Sequence, residues 1–201
     1  MKLVGLYDSP YVRRVAVSLH VQGFDYEQVA LSVYRNIDAF RLYNPLTKAP
    51  VLVLSDGAIL ADSSCILDYL DQRAPERRLV PADGAARVAA LQTITLALVA
   101  AEKAVALVYE TTMRPKEVQH APAIERATGQ LRTALDLLEA KLPVAVTHGG
   151  ALDQVAITAA VAYRYVAHTQ PDLVLHGRHP QLAALSAQCE QLPPFQATHY
   201  E

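Results

Sequence analysis

The sequence predicts an α/β half followed by an all-helical half. Two textures carry that reading. Up to about residue 80, short strand-like runs alternate with helical spacings, and glycine and proline punctuate them. From Ala85 onward the chain is rich in Ala and Leu and has almost no β-branched runs.

Leu3-Val4-Gly5-Leu6 reads as a buried strand. Val12, Val15, Ala16 and Leu19 then fall on one helical face. Pro10 suits the first turn of that helix, where a missing N–H costs nothing, and Gly23 closes it. Tyr26 to Leu31 predicts a second strand, and Ile37 to Tyr43 a short helix ending before Asn44-Pro45. Val51 to Leu54 and Ala58 to Leu60 flank Ser55-Asp56-Gly57, a hairpin signal. Asp62 starts a helix with Ile66, Leu67 and Leu70 on one face. The predicted order is βαβαββα.

Arg73 to Pro81 reads as a linker between a domain over residues 1–78 and a helical one over 85–201. Ile94, Leu98, Ala101, Val105 and Val108 have the spacing of an antiparallel packing helix. Leu131, Leu135, Leu138 and Leu142 predict another, ended by Pro143. Ala156, Ala159, Ala160 and Tyr163 form a small-residue face suited to a buried central helix. Gln181 to Gln191 predicts the last helix, stopped by Pro193-Pro194.

Composition narrows the function classes. A formal net charge of -2 predicts no nucleic-acid footprint, because phosphate binding needs a basic stripe. Cys65 and Cys189 lie far apart, which fits reduced thiols in a cytoplasm; each is expected to be a small buried hydrophobe. Met1-Lys2-Leu3-Val4 runs straight into a strand, and no signal peptide is read. The longest apolar stretch, Ile94 to Tyr109, is broken by Glu102-Lys103, so a core helix is expected and no membrane. His176 and His179 sit in a loop-like stretch, and no metal site is expected.

Three segments carry chemistry. In Ser9-Pro10-Tyr11-Val12-Arg13-Arg14, Ser9 precedes a helix-opening proline and is the expected N-cap. A helix N-terminus also presents free N–H groups and positive potential, which would stabilise a thiolate there. In Leu60-Ala61-Asp62-Ser63-Ser64, a second helix begins at an Asp-Ser pair, again an ordinary cap and also an anion-binding arrangement. Between them lies Asn44-Pro45-Leu46-Thr47-Lys48-Ala49-Pro50-Val51-Leu52, where Lys48 reads either as a solvated loop lysine or as a partner for a carboxylate.

The first segment resembles the C-P-Y-C site of glutaredoxins with Ser9 and Val12 replacing both cysteines, which argues against dithiol exchange. It is similar to serine-type glutathione transferases of the bacterial, tau and theta-like groups. The second and third segments resemble that family's N-P-x-x-x-V-P-x-L and E-S-x-A-I-x-x-Y-L, with Ala49 and Asp62 as departures. The resemblance implies a thioredoxin-like glutathione-binding domain followed by a helical bundle. It implies a cis Ala49–Pro50 bond, with the Ala49 backbone pairing the cysteinyl unit of glutathione. Asp62 would meet the γ-glutamyl ammonium, Ser63 the γ-glutamyl carboxylate, and Lys48 a substrate carboxylate. Ser9 would stabilise the thiolate. Tyr7 is a rival, because other classes use a tyrosine near the first strand, but the S-P-Y register favours Ser9 and leaves Tyr7 as packing.

Tyr11, Tyr109, Arg114, Tyr163 and Tyr165 are candidates for the second, electrophilic substrate. Arg13 and Arg14 are read as anion-attracting or as surface or interdomain contacts. Gly149-Gly150-Ala151-Leu152-Asp153 resembles the family's S/T-x-x-D capping box, with Gly150 in the cap position. The implied activity is glutathione transfer to a small electrophile, with glutathione as co-substrate, no metal, and a homodimer. Glutathione-dependent peroxide or disulfide reduction is the alternative enzyme, and a non-catalytic binding or regulatory module the alternative class.

Overall fold

The computed structural model describes residues 1–142, 152–174 and 177–199. They form two compact units, Met1–Ala82 together with the segment from Gln191 onward, and Asp83–Glu190.

In the first unit, strands β1 (Lys2–Val4), β2 (Glu27–Val29), β3 (Val51–Val53) and β4 (Ile59–Ala61) form one sheet in the order β2-β1-β3-β4. β1 and β2 are parallel, joined through helix α1 (Pro10–Val21) as a crossover requires. β3 runs antiparallel to both β1 and β4. Helices α2 (Ile37–Arg41) and α3 (Ser63–Arg73) complete the predicted order. β1, β2 and β3 are shorter than their apolar runs suggest, because the chain leaves the ladder at Gly5, Ala30 and Leu54, and β4 keeps its expected length one residue further on.

Side chains alternate across the sheet as a two-residue period requires. Leu3 and Leu52 join Val12, Val15, Ala16 and Leu19 of α1 and Ile66, Leu67 and Leu70 of α3 in one core. Their neighbours Val4 and Val51 face the other way, onto Phe40 of α2. Gly23 ends α1 at φ 68, as its position predicts. Gly5 has φ 139, and a Cβ placed there would stand 2.6 Å from Val12 Cγ2. Val12 is β-branched and cannot swing away cheaply. Gly5→Ala is expected to destabilise the first unit by about 2–4 kcal/mol, combining backbone strain with overpacking. Adding Val12→Ala should recover only the steric part, which chemical denaturation of the single and double variants would measure.

The predicted linker is pinned by a buried carboxylate. Asp71 of α3 accepts from Gln22 Nε2 at 2.8 Å and from the N–H groups of Leu79 at 2.9 Å and Val80 at 3.1 Å. The expected second domain extends to residue 201, but the chain from Gln191 groups with the first unit. Pro193 does not stop the last helix; it opens another, α8 (Pro193–Gln196), since proline is tolerated in a first turn. Arg13 is fully buried and donates from Nε to the Thr198 carbonyl at 2.8 Å and from Nη2 to the Phe195 carbonyl at 3.3 Å. Its guanidinium lies 5.6 Å from the centre of the Phe195 ring.

The second unit is helical. α4 (Gly84–Val108) packs on α5 (Ala121–Lys141) and α6 (Gln154–Thr169), and α7 (Pro180–Cys189) packs on α5 and α6. α4 and α5 both begin earlier than their leucine and isoleucine spacing marks. Alanine-rich starts such as Gly84-Ala85-Ala86-Arg87 extend them through propensity, without a buried stripe. Gly84–Met113 is long and apolar enough to cross a membrane by length and composition, with 39% of its most apolar window buried. Ile94, Ala97, Ala100, Ala101, Ala104 and Leu107 are buried along it.

α6 is buried nearly all round, as a central helix should be. Its N-cap is Asp153, whose carboxylate accepts from the Ala156 N–H at 2.8 Å. The capping box anticipated Asp153 inside the first turn, and its Gly149, Gly150 and Ala151 lie outside the described residues, as do Pro143 and His176. His179 places its Nε2 3.0 Å from Asp136 of α5, which also receives Arg178 at 2.8 Å. Beside it, Glu139 of α5 accepts the Gln181 and Leu182 N–H groups at 2.8 and 2.9 Å and so caps α7 from a neighbouring helix. Among the described residues no cluster could hold a metal ion.

Candidate functional site

Sheet register brings the three chemistry-bearing segments to one end of the sheet. Val4 pairs with Val51, and Val51 pairs with Ala61. The end of β1, the start of β3 and the end of β4 therefore lie side by side. Ser9 follows the first, Ala49-Pro50 precedes the second, and Asp62-Ser63 follows the third. The Ala49–Pro50 peptide bond is cis, as expected.

Ser9 is the N-cap of α1, and its backbone N–H donates to the Leu6 carbonyl at 3.1 Å. Its hydroxyl accepts from the Val12 N–H at 3.4 Å. That is beyond the usual range of ~2.7–3.2 Å for such bonds, so the cap is weak. A hydroxyl that accepts there also keeps its own proton to donate.

Asp62 caps α3 more tightly, accepting from the Ser64 N–H at 2.9 Å. Its other carboxylate oxygen lies 3.2 Å from Lys48 Nζ, which ties the loop before β3 to the start of α3. Partial burial disfavours the Asp62 charge, but the Ser64 N–H and the Lys48 ammonium outweigh it and hold the carboxyl below its ordinary range. Both partners of the ion pair are substantially exposed, so its net stabilisation is under ~1 kcal/mol. Asp62 also has φ 72, a left-handed conformation uncommon outside glycine. A strained, charged residue at a helix start is a frequent mark of a binding corner.

Ser63 is 4% exposed, and its Oγ accepts from Arg14 Nη1 of α1 at 3.4 Å. Arg14 is 3% exposed, so neither arginine of the first segment is a surface contact. Burial lowers its pKa to about 10, against the favourable charges of Asp62 and Tyr11, and it remains cationic at neutral pH. Sequence reasoning missed this residue as part of the Ser63 corner. The helical spacing of Arg14 with Pro10 and Ser18 on the buried stripe was the available signal.

The Tyr7 hydroxyl is engaged elsewhere, 2.9 Å from that of Tyr26, which is 3.2 Å from His20 Nε2. Burial raises the pKa of Tyr7 and disfavours its phenolate. Cys65 is exposed, not buried as expected, because it precedes the Ile66–Leu67 stripe by one position and turns outward. Cys189 is buried, with its thiol pushed up to about 12 by that burial.

The candidates for a second substrate fall on several elements of the chain. Tyr11 lies in the first turn of α1 and is half-buried. Tyr109, 44% exposed, opens a π-helical turn (Tyr109–Met113), a distortion frequent at functional sites. Arg114 follows that turn and pairs with Glu110 at 3.0 Å. Tyr163 and Tyr165 are each 8% exposed on α6.

A family model described as the glutathione S-transferase N-terminal domain matches residues 3–78. The GST-like protein YibF of Escherichia coli is 30% identical over 165 residues, covering 81% of this chain and 81% of that protein. A glutathione transferase family member from Pseudomonas fluorescens, solved with bound glutathione, superposes with a TM-score of 0.86 at 35% identity, covering 100% of this chain and 98% of that one. A glutathione S-transferase from Methylobacterium radiotolerans, solved with glutathione sulfonate, has a TM-score of 0.90 at 28% identity, covering 98% of this chain and 93% of that one. Matched by the family model over residues 3–78, by a relative over 81% of its length and in fold along nearly its whole length, the chain belongs to the glutathione S-transferase family, with a thioredoxin-like sheet and helices followed by a helical domain.

Proposed function

We propose that the chain is a cytoplasmic, homodimeric glutathione transferase that joins the glutathione thiolate to a small electrophile. The observation that carries the reading is the convergence of the Ser9 cap, the cis Ala49–Pro50 bond and the Asp62-Ser63 helix start at one end of the sheet. Relatives solved with glutathione and with glutathione sulfonate support it. Residues 1–78 would bind glutathione, and residues 85–201 would contribute to the second substrate.

In this reading Asp62 takes the γ-glutamyl ammonium and Ser63 the γ-glutamyl carboxylate. Lys48 meets a carboxylate, and the Ala49 backbone beside Pro50 pairs with the cysteinyl unit. The Ser9 O–H donates to sulfur and, with the α1 N-terminus, lowers the thiol pKa so that the proton leaves to solvent. Sulfur then attacks an electrophilic carbon: a C–S bond forms, and a displaced group leaves with its electron pair. Tyr11, Tyr109, Arg114 and Tyr163 are the proposed contacts of the electrophile. Binding supplies orientation and a lowered thiol pKa, so the protein itself need form no covalent intermediate.

Calorimetric titration with glutathione tests the reading. Saturable binding, followed by turnover of aryl halides faster than of hydroperoxides or mixed disulfides, is the expected result. Faster turnover of the latter two would make the protein a glutathione-dependent reductase. No binding at millimolar glutathione would remove the reading altogether.

A further inference from the structure

Helix α4 does not stop where its α-helical bonding does. It runs on into the π-helical turn Tyr109–Met113, closed by the Arg114 N–H on the Tyr109 carbonyl at 3.1 Å. Residues five apart stand on different faces of an ordinary α-helix. A turn closed at i+5 instead sets Met113 and Arg114 together over Tyr109. Side chains hold this wider turn from both ends. Thr111 Oγ1 donates to the Leu107 carbonyl at 2.7 Å, and Gln119 Nε2 donates to the Thr111 and Arg114 carbonyls, both at 3.0 Å. Glu110 Oε1 accepts the His120 N–H at 2.7 Å. These bonds occupy carbonyls that a helix end leaves open, so the turn presents a fixed surface.

That surface carries an uneven ion pair. Arg114 Nε lies 3.0 Å from Glu110 Oε2, yet the Glu110 side chain is 16% exposed and the Arg114 side chain 52%. The carboxylate is underneath and the guanidinium is outside. Among the described residues the guanidinium has no other partner. Engaged through Nε, it keeps its Nη1 and Nη2 donors, a planar pair suited to one further carboxylate. The Tyr109 ring, 44% exposed, and the Met113 thioether, 50% exposed, share the turn with it. An aromatic face and a polarizable thioether suit a flat apolar skeleton. We propose that the electrophile of this chain is a carboxylate-bearing aromatic compound, with the carboxylate on Arg114 and the ring against Tyr109 and Met113. The proposal rests on the transferase reading above and narrows it to an anionic substrate. For an aryl halide of this class the sulfur–carbon bond forms, the carbon–halogen bond breaks, and halide leaves with the electron pair.

The test pairs a chloronitrobenzoate with the uncharged chloronitrobenzamide, each turned over with glutathione by wild type, Arg114→Met and Arg114→Lys. Wild type is expected to have the lower KM for the benzoate, and the gap should narrow as salt rises, because the guanidinium is at the surface. Arg114→Met should raise KM for the benzoate about tenfold or more, the loss typical of a charge-assisted contact. The amide should lose far less, and KM for glutathione should stay in place. A contact made equally in ground and transition states acts on KM, so kcat for the benzoate should be retained. Each comparison runs between variants on one compound, so the different reactivities of the two compounds cancel. Arg114→Lys should recover part of the loss, since it keeps the charge and not the fork. Equal losses on both compounds, or no loss on the benzoate, would overturn the proposal and leave the transferase reading standing. If wild type binds glutathione but turns over neither compound nor any other aryl halide, both fall. Should the methionine variant not fold, Arg114→Gln decides by the same comparison.

Discussion

Replacing Ser9 with alanine is expected to lower kcat/KM for conjugation about a hundredfold, the loss usual when one preorganised donor to a developing or resident anion is removed. Stability should change far less. An N-cap serine contributes ~0.5–2 kcal/mol, and the 3.4 Å contact to the Val12 N–H places this one at the low end. The pH dependence separates the two roles. In the proposed role Ser9 stabilises the ionised sulfur, so its loss should move the thiol of bound glutathione up toward the free value of ~8.5. The rate deficit should then be largest near neutral pH and shrink as pH rises past that value. A pH–rate profile of wild type and variant, alongside thermal denaturation of both, gives the answer. Unchanged activity with lowered stability would reduce Ser9 to a cap.

Replacing Arg13 with methionine is expected to destabilise the first unit by about 2–5 kcal/mol, because it takes the guanidinium donor from the Thr198 carbonyl and one of several donors from the Phe195 carbonyl inside a fully buried pocket. The stacking of the guanidinium on Phe195 is lost as well. Methionine fills much of the volume, so the loss reports hydrogen bonding more than a cavity. The damage should be local at first. Amide exchange should accelerate over α8 and the first turns of α1 before the sheet is affected, and limited proteolysis should cut near residues 190–192. Arg13→Lys should recover only part of the loss, since one ammonium cannot reach two carbonyls with the geometry of a planar fork. Wild-type exchange at α8 in Arg13→Met would show that Phe195 burial alone holds the segment.

These two residues show what a single sequence conveys. Ser9, Asp62 and Ser63 were legible because capping is local: a hydroxyl or carboxylate, a proline or an apolar stripe, and a few residues of spacing suffice. Sheet register then did the rest, since alternation fixes which strand ends meet. Arg13 and Arg14 were not legible. They are the same letter in adjacent positions of one helix, and only distant partners distinguish them, 185 residues away for Thr198 and 49 for Ser63. The early starts of α4 and α5 were missed because alanine builds helix without marking a buried face. α8 was missed because Pro193-Pro194 suits the first turn of a helix as well as the end of one. Cys65 shows how one position along a helix decides between core and solvent.

The discontinuity of the first unit bears on how the chain matures as it is made. Synthesis proceeds at ~5–20 residues per second, so the acceptors of Arg13 follow it by about 10–40 s. Until then its guanidinium has neither the Phe195 nor the Thr198 carbonyl, and the helix that carries Ser9 lacks its α8 neighbour. Asp83–Glu190, by contrast, is continuous and finishes emerging before the segment that completes the unit begun ahead of it. The nascent protein thus completes last the unit whose first residues emerge first, reversing the order in which the two units are encoded.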